Sequence, residues 1–134
     1  MKFAVMMGSD SDWPILKPAV ELLKSFGIES EVIVAAGAAA HLAGVVASYT
    51  TLPVIGVPIN ATALNGMDAL LSTVQMPSGV PVATMAINGA KNAAIFAVQI
   101  FAVGNAELAG KLAAYREKMV EEVEKKAARV AAQL

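Results

Sequence analysis

Apolar positions along this chain fall into short blocks, some continuous over strand length and some repeating at helical spacing. Lys2–Met7 (KFAVMM) reads as a first buried strand. Pro14–Phe26 is amphipathic, with Ile15, Leu16, Val20, Leu22, Leu23 and Phe26 apolar and Gly27 placed to end the helix. Glu31–Ala35 (EVIVA) predicts a second strand, and small residues follow over Ala36–Ala40. His41–Tyr49 reads as a helix, Pro53–Val57 as a third strand, Asn65–Val74 as a helix and Val82–Ala86 as a fourth strand. Lys91–Val103 is apolar nearly all round, the mark of a helix buried on both sides.

Strands alternating with helices predict an α/β domain with a mainly parallel sheet. Ligands in such sheets sit beyond the carboxyl ends of the strands, so the loops at 8–12, 36–41 and 58–66 should meet on one rim. The last segment differs. Glu107–Leu134 is charged, with Leu108, Leu112, Tyr115, Met119, Val123 and Val130 forming one apolar stripe on a long helix, expected at subunit contacts. No repeat or linker marks a second domain, so residues 1–134 read as one.

Composition adds a constraint on assembly. Hydrophobic residues make up 57% of 134 residues and charged ones 16%, and between Val32 and Ala106 the only charged side chains are Asp68 and Lys91. A monomer of this size has too much surface to hide so much uncharged sequence. A membrane span does not account for it, because His41, Asn60, Asn65, Pro53 and Pro58 interrupt every stretch of spanning length. Phe3–Met7 is also too short for the core of a signal peptide. The expectation is a cytoplasmic homo-oligomer. The absence of cysteine fits a reducing compartment and removes thiolate chemistry. A net charge of −1 without a basic stripe argues against nucleic acid.

The candidate chemistry begins at Gly8-Ser9-Asp10-Ser11-Asp12, which turns the first strand into the first helix. Backbone N–H groups at such a turn suit a phosphate. Asp12 adds an acceptor for ribose hydroxyls, or else caps the helix that begins near Pro14.

Four segments together carry a resemblance: MGSDSDW (7–13), AGAAAHLAG (36–44), LPVIGVPINATALNGMDALLSTVQMPSGVPVATMAI (52–87) and NGAKNAA (88–94). They resemble the small PurE-type N5-carboxyaminoimidazole ribonucleotide mutases of purine biosynthesis, whose relatives act as aminoimidazole ribonucleotide carboxylases. The resemblance implies a three-layer, flavodoxin-like α/β domain assembled as an octamer, with sites shared between subunits. It implies transfer of a carboxyl group from the exocyclic nitrogen to C4 of the imidazole, through carbon dioxide released and recaptured, with no metal or organic cofactor. Carried over, Gly8, Ser9, Ser11 and Asp12 hold the ribose phosphate. Ala36, Gly37 and Ala38 form the wall around the carboxylate, His41 and Leu42 follow, and Met76 and Pro77 close over the base.

The departure from the family pattern is equally specific. The family's SAHRTP motif, which carries its main catalytic histidine and a phosphate-binding arginine, is absent, together with about one β-α unit. The splice falls near Ala35–Ala36. The remaining strand either keeps the sheet edge, leaving the vacant place to another subunit, or the first helix changes faces. His41, the sole histidine, is the catalytic candidate, with a packing role among alanines as its alternative. Two functions therefore stand side by side: a mutase, and a non-catalytic oligomer that keeps the binding and assembly surfaces.

Other residues have plainer readings. Met76-Pro77-Ser78-Gly79 is turn-forming whatever its function. Lys91 binds phosphate or solvates a helix start, Asp68 pairs with Lys91 across the core, and the C-terminal charges form a solvated face.

Overall fold

The first strand, first helix and second strand form one continuous unit in a computed structural model, which describes residues 2–34, 41–61 and 63–133. Strand β1 (Lys2–Met7) pairs in parallel with β2 (Glu29–Val34), in register from Lys2 opposite Glu29 to Met7 opposite Val34. Val5 and Met7 on one face of β1 are buried, whereas Lys2, Ala4 and Met6 on the other are exposed. Lys2 and Glu31 form an ion pair of 2.9 Å on that open face. The carboxylate raises the Lys2 pKa, through hydrogen bonding first and charge second.

Helix α1 (Trp13–Ser25) joins these strands, burying Leu16, Ala19 and Leu23. Its end is built as the sequence predicts. Phe26 is the last half-helical residue, Gly27 turns left-handed at φ 78°, and two reverse bonds close the motif. Gly27 N donates to the Lys24 carbonyl at 2.9 Å and Ile28 N to that of Leu23 at 3.0 Å. Leu23 and Ile28, the two residues such a motif brings together, are 1% and 2% exposed. Burying each contributes about 1.5–3 kcal/mol.

The next elements are α2 (Leu42–Ser48), β3 (Ile55–Gly56), α3 (Met67–Val74) and β4 (Ala83–Thr84). Strands β3 and β4 also pair in parallel. All of the paired strands are parallel, as expected, but among the described residues they form two separate pairs rather than one sheet. Both later strands are shorter than the expected Pro53–Val57 and Val82–Ala86. Pro53, Pro58 and Pro81 bracket them, and proline has no N–H for a ladder. Gly56 lies at a close approach: a methyl group there would meet Thr73 of α3, Val82 and Ala43 of α2.

Helix α4 (Ala90–Ala102) buries Ala90, Ala94, Ala97 and Val98, while Lys91, Asn92 and Gln99 are exposed. The helix is therefore one-sided, correcting the expectation of burial all round: its few polar residues fall together on one strip. Lys91 is solvent-exposed, so no buried Asp68–Lys91 pair forms.

The chain divides into two compact units, Met1–Ala97 and Val98–Leu134. The second is dominated by α5 (Ala106–Ala131), capped by the Asn105 side chain, which accepts from Leu108 N at 3.1 Å. Leu108 is buried, Leu112 and Tyr115 are half-buried, and Met119, Val120, Val123 and Val130 are exposed. The predicted stripe is thus present, and its second half is bare. The charges form exposed i,i+4 pairs, Glu107–Lys111 at 2.8 Å and Glu121–Lys125 at 3.9 Å. Among the described residues no helix is long and apolar enough to cross a membrane.

Candidate functional site

The polar turn after β1 is wound into one turn of 3-10 helix, Asp10–Asp12. Ser9 is extended and closes it as a capping box. Its Oγ accepts from Ser11 N at 3.2 Å, and Asp12 Oδ2 accepts from Ser9 N at 3.3 Å. Ser11 Oγ donates to Ser9 Oγ at 2.9 Å, and Ser9 Oγ donates to Asp10 Oδ1 at 3.2 Å. This arrangement corrects one reading of Asp12. It stands at the N-cap of α1 but makes no capping bond there, because its carboxylate turns back to Ser9. Ser9, Ser11 and Asp12 are therefore gathered within one turn, with Gly8 half-buried beside them.

His41 is held by a different device. Its backbone is left-handed, φ 46°, at the N-cap of α2, and its carbonyl accepts from Val45 N at 3.1 Å. The imidazole lies over Gly44, one turn on, where any Cβ would overlap Nε2. The Nδ1 atom is buried without a hydrogen-bond partner among the described residues. An unpartnered buried nitrogen is costly, so this atom is poised for a donor or acceptor brought to it. Leu42 is half-buried in the first turn of α2. Ala36, Gly37 and Ala38 lie outside the described residues.

Met76 is half-buried and Pro77 exposed, at a turn closed by Val80 N donating to the Pro77 carbonyl at 3.2 Å. The hydrogen bonds of the described residues do not tie this turn, or His41, to Ser9–Asp12. They do join the loops after β3 and β4. Asn88, left-handed at φ 57°, donates its N–H to the Pro58 carbonyl at 2.8 Å, and its Oδ1 accepts from Asn60 N at 3.0 Å.

Asn88 also lines an open groove of about 340 Å³ with Pro14, Ile15, Pro18, Gly89, Lys91 and Asn92. The start of α1 and the start of α4 thus meet the β4 loop at one rim. This groove places the cation of Lys91 beside the first turn of α1, a juxtaposition that sequence reasoning missed. The signal was Asn88-Gly89 after a strand, taken in the sequence only as part of the NGAKNAA segment. Among the described residues no three histidine, aspartate or glutamate side chains gather as metal ligands.

The AIR carboxylase family profile matches residues 30–122, more than half of the chain. The chain belongs to the AIR carboxylase family. It is 46% identical to the N5-carboxyaminoimidazole ribonucleotide mutase of Thermotoga maritima, over 96% of this chain and 91% of that protein. It is 48% identical to the Saccharolobus solfataricus protein of the same name, over 91% and 94%. The Thermotoga alignment runs over 156 positions, 22 more than the 134 residues present here, so that AIR carboxylase relative has residues without counterparts in this chain. Among solved structures, a Treponema denticola PurE2 variant superposes with TM-score 0.84, and T. denticola PurE with 0.69. Those two are 24% and 23% identical, each matched over 96% of this chain and over 96% and 97% of their own. They establish the fold that this member of the AIR carboxylase family shares.

Proposed function

We propose that this chain acts on an aminoimidazole ribonucleotide as an N5-carboxyaminoimidazole ribonucleotide mutase. The observation that carries the reading is the identity of 46–48% with two mutases along nearly their whole length. Of the ribose phosphate, Gly8, Ser9 and Ser11 bind the phosphate and Asp12 a ribose hydroxyl; Leu42, Met76 and Pro77 bound the base, and Ala36–Ala38 wall the carboxylate. The capping box supports the first assignment. Its hydroxyls and N–H groups are already ordered within one turn, so little ordering entropy remains to be spent on binding. Asp10 and Asp12 repel a phosphate, and a cation such as Lys91 at the neighbouring groove offsets them.

The chemistry asks little of a cofactor. The N–CO₂ bond breaks, carbon dioxide leaves, and the electron pair stays on nitrogen, which takes a proton. C4 then attacks the carbon of carbon dioxide, and the C4 proton departs. One proton is taken up and one released, so a single acid–base group suffices. His41 fills that role, with Nδ1 unpartnered among the described residues and therefore open to engagement. The protein works as a homo-oligomer, an octamer on the family's pattern, in the cytoplasm. The bare half of the α5 stripe supports assembly, because single copies rarely leave such a run uncovered.

A second reading keeps binding and assembly but not turnover. It is favoured by the excess of at least 22 alignment positions over the residues present here, about the length of one β-α unit; the SAHRTP motif is absent from the sequence. Incubation with N5-carboxyaminoimidazole ribonucleotide, followed by absorbance, separates the two. Rearrangement above background supports the mutase, and saturable binding without conversion supports the remnant.

A further inference from the structure

Parallel strands rarely stand in isolated pairs, because such ladders are normally continued on both edges and covered on both faces. Here both edges of each pair are without a strand among the described residues, and those of β1 and β3 are the two that a strand placed between the pairs would meet. The hydrogen bonds define one of these edges atom by atom. Ala83 N donates to the Val54 carbonyl at 3.0 Å and Met85 N to the Gly56 carbonyl at 2.9 Å. In a parallel ladder this register turns the N–H and C=O of Ile55 the other way, off β4. Along β1 every second residue likewise directs its backbone groups away from β2.

We propose that the open edges of β1 and β3 take up one extended strand in trans, parallel to both, from a peptide of strand-then-helix or helix-then-strand type with an apolar, β-branched strand. The result is a single five-stranded sheet. The proposal rests on the reading that a β-α unit is absent between β2 and α2. Size supports it: a mean strand, a mean helix and two short connections need about 22–28 residues, and the Thermotoga relative has at least 22 that this chain lacks. A second copy of this chain is a poor occupant, since it lacks the same unit and its described strands are already paired.

The test uses the full 134-residue protein and a synthetic peptide. The peptide carries an apolar, β-branched strand joined by a short turn to an amphipathic helix. Binding is followed by fluorescence anisotropy and amide hydrogen exchange by NMR. Saturable binding is expected, with exchange at Ile55 and at alternate β1 amides slowed at least tenfold. A scrambled peptide should not bind, and N-methylation of alternate strand amides in the peptide should weaken binding at least tenfold without touching the protein. No binding, binding without protection at Ile55 and β1, or equal binding of the N-methylated peptide overturns the proposal. Protection of Ile55 in the protein alone at high concentration also overturns it, because a second copy then fills the edge. Ribonucleotide turnover is not a readout, so this proposal and the mutase reading fail separately.

Discussion

Replacing Gly44 by alanine separates the position of His41 from the stability of the fold. The new Cβ would fall 2.5 Å from both Cδ2 and Cε1 of His41 and would overlap Nε2. Carbon atoms rest at about 3.5–4.0 Å, so the ring must retreat by about 1 Å or more. The helix itself benefits, since alanine is favoured over glycine by about 1 kcal/mol in a helix interior. A catalytic group misplaced by 1 Å costs about 100-fold in rate. Gly44→Ala is therefore expected to melt at or above the wild-type temperature while its conversion of N5-carboxyaminoimidazole ribonucleotide falls about 100-fold. His41 is the sole histidine, so its ring resonances are assignable on sight and report the displacement directly. A shifted resonance with a full rate would refute the acid–base role of His41. An unshifted resonance would refute the packing, and a wild-type rate at background would refute the role outright.

Three further outcomes are expected. Asp12→Ala should weaken ribonucleotide affinity by about 10-fold or more, the worth of a hydrogen bond to a charged group, and leave the oligomer intact; unchanged calorimetric affinity counts against it. Light scattering should find a large assembly, and Val123→Glu, placing a charge on the bare stripe of α5, should shift it towards smaller species. The Lys111 ammonium, by hydrogen bonding first and charge second, holds the Glu107 pKa below its ordinary value. The folded value lies below the unfolded one, so the pair's contribution is present above the unfolded pKa and is lost as pH falls through the folded value. Exchange protection in the first turn of α5 should accordingly decline from about pH 4.3 downward, while protection around Leu23 holds over the same range.

The elements most legible in sequence are those fixed by local chemistry. The apolar run of β1, the spacing of Leu16, Leu23 and Phe26, and the glycine after Phe26 specify strand, helix and stop without reference to anything distant. The capping box was not read from the sequence, although Ser9 and Asp12 stand three apart before a helix. That local bond is also why the simpler reading of Asp12 as the cap of α1 fails. Readings that depended on distant partners fared differently. Asp68 and Lys91 were matched as the lone charges of an apolar stretch, yet sequence does not say which face of α4 carries Lys91. The lengths of β3 and β4 depend on their neighbours across the sheet, and the groove at Asn88 exists only because α1 and α4 begin side by side. The left-handed backbone of His41, with its ring against Gly44, is likewise a product of folding that no spacing rule announces.

The central claim is that the Gly8–Asp12 turn grips a phosphorylated ribose. A crystal structure with aminoimidazole ribonucleotide bound tests it most directly. The account predicts phosphate oxygens within hydrogen-bond reach of Ser9 and Ser11, with the Asp12 carboxylate on a ribose hydroxyl. Ligand density elsewhere, with that turn unoccupied, would contradict it.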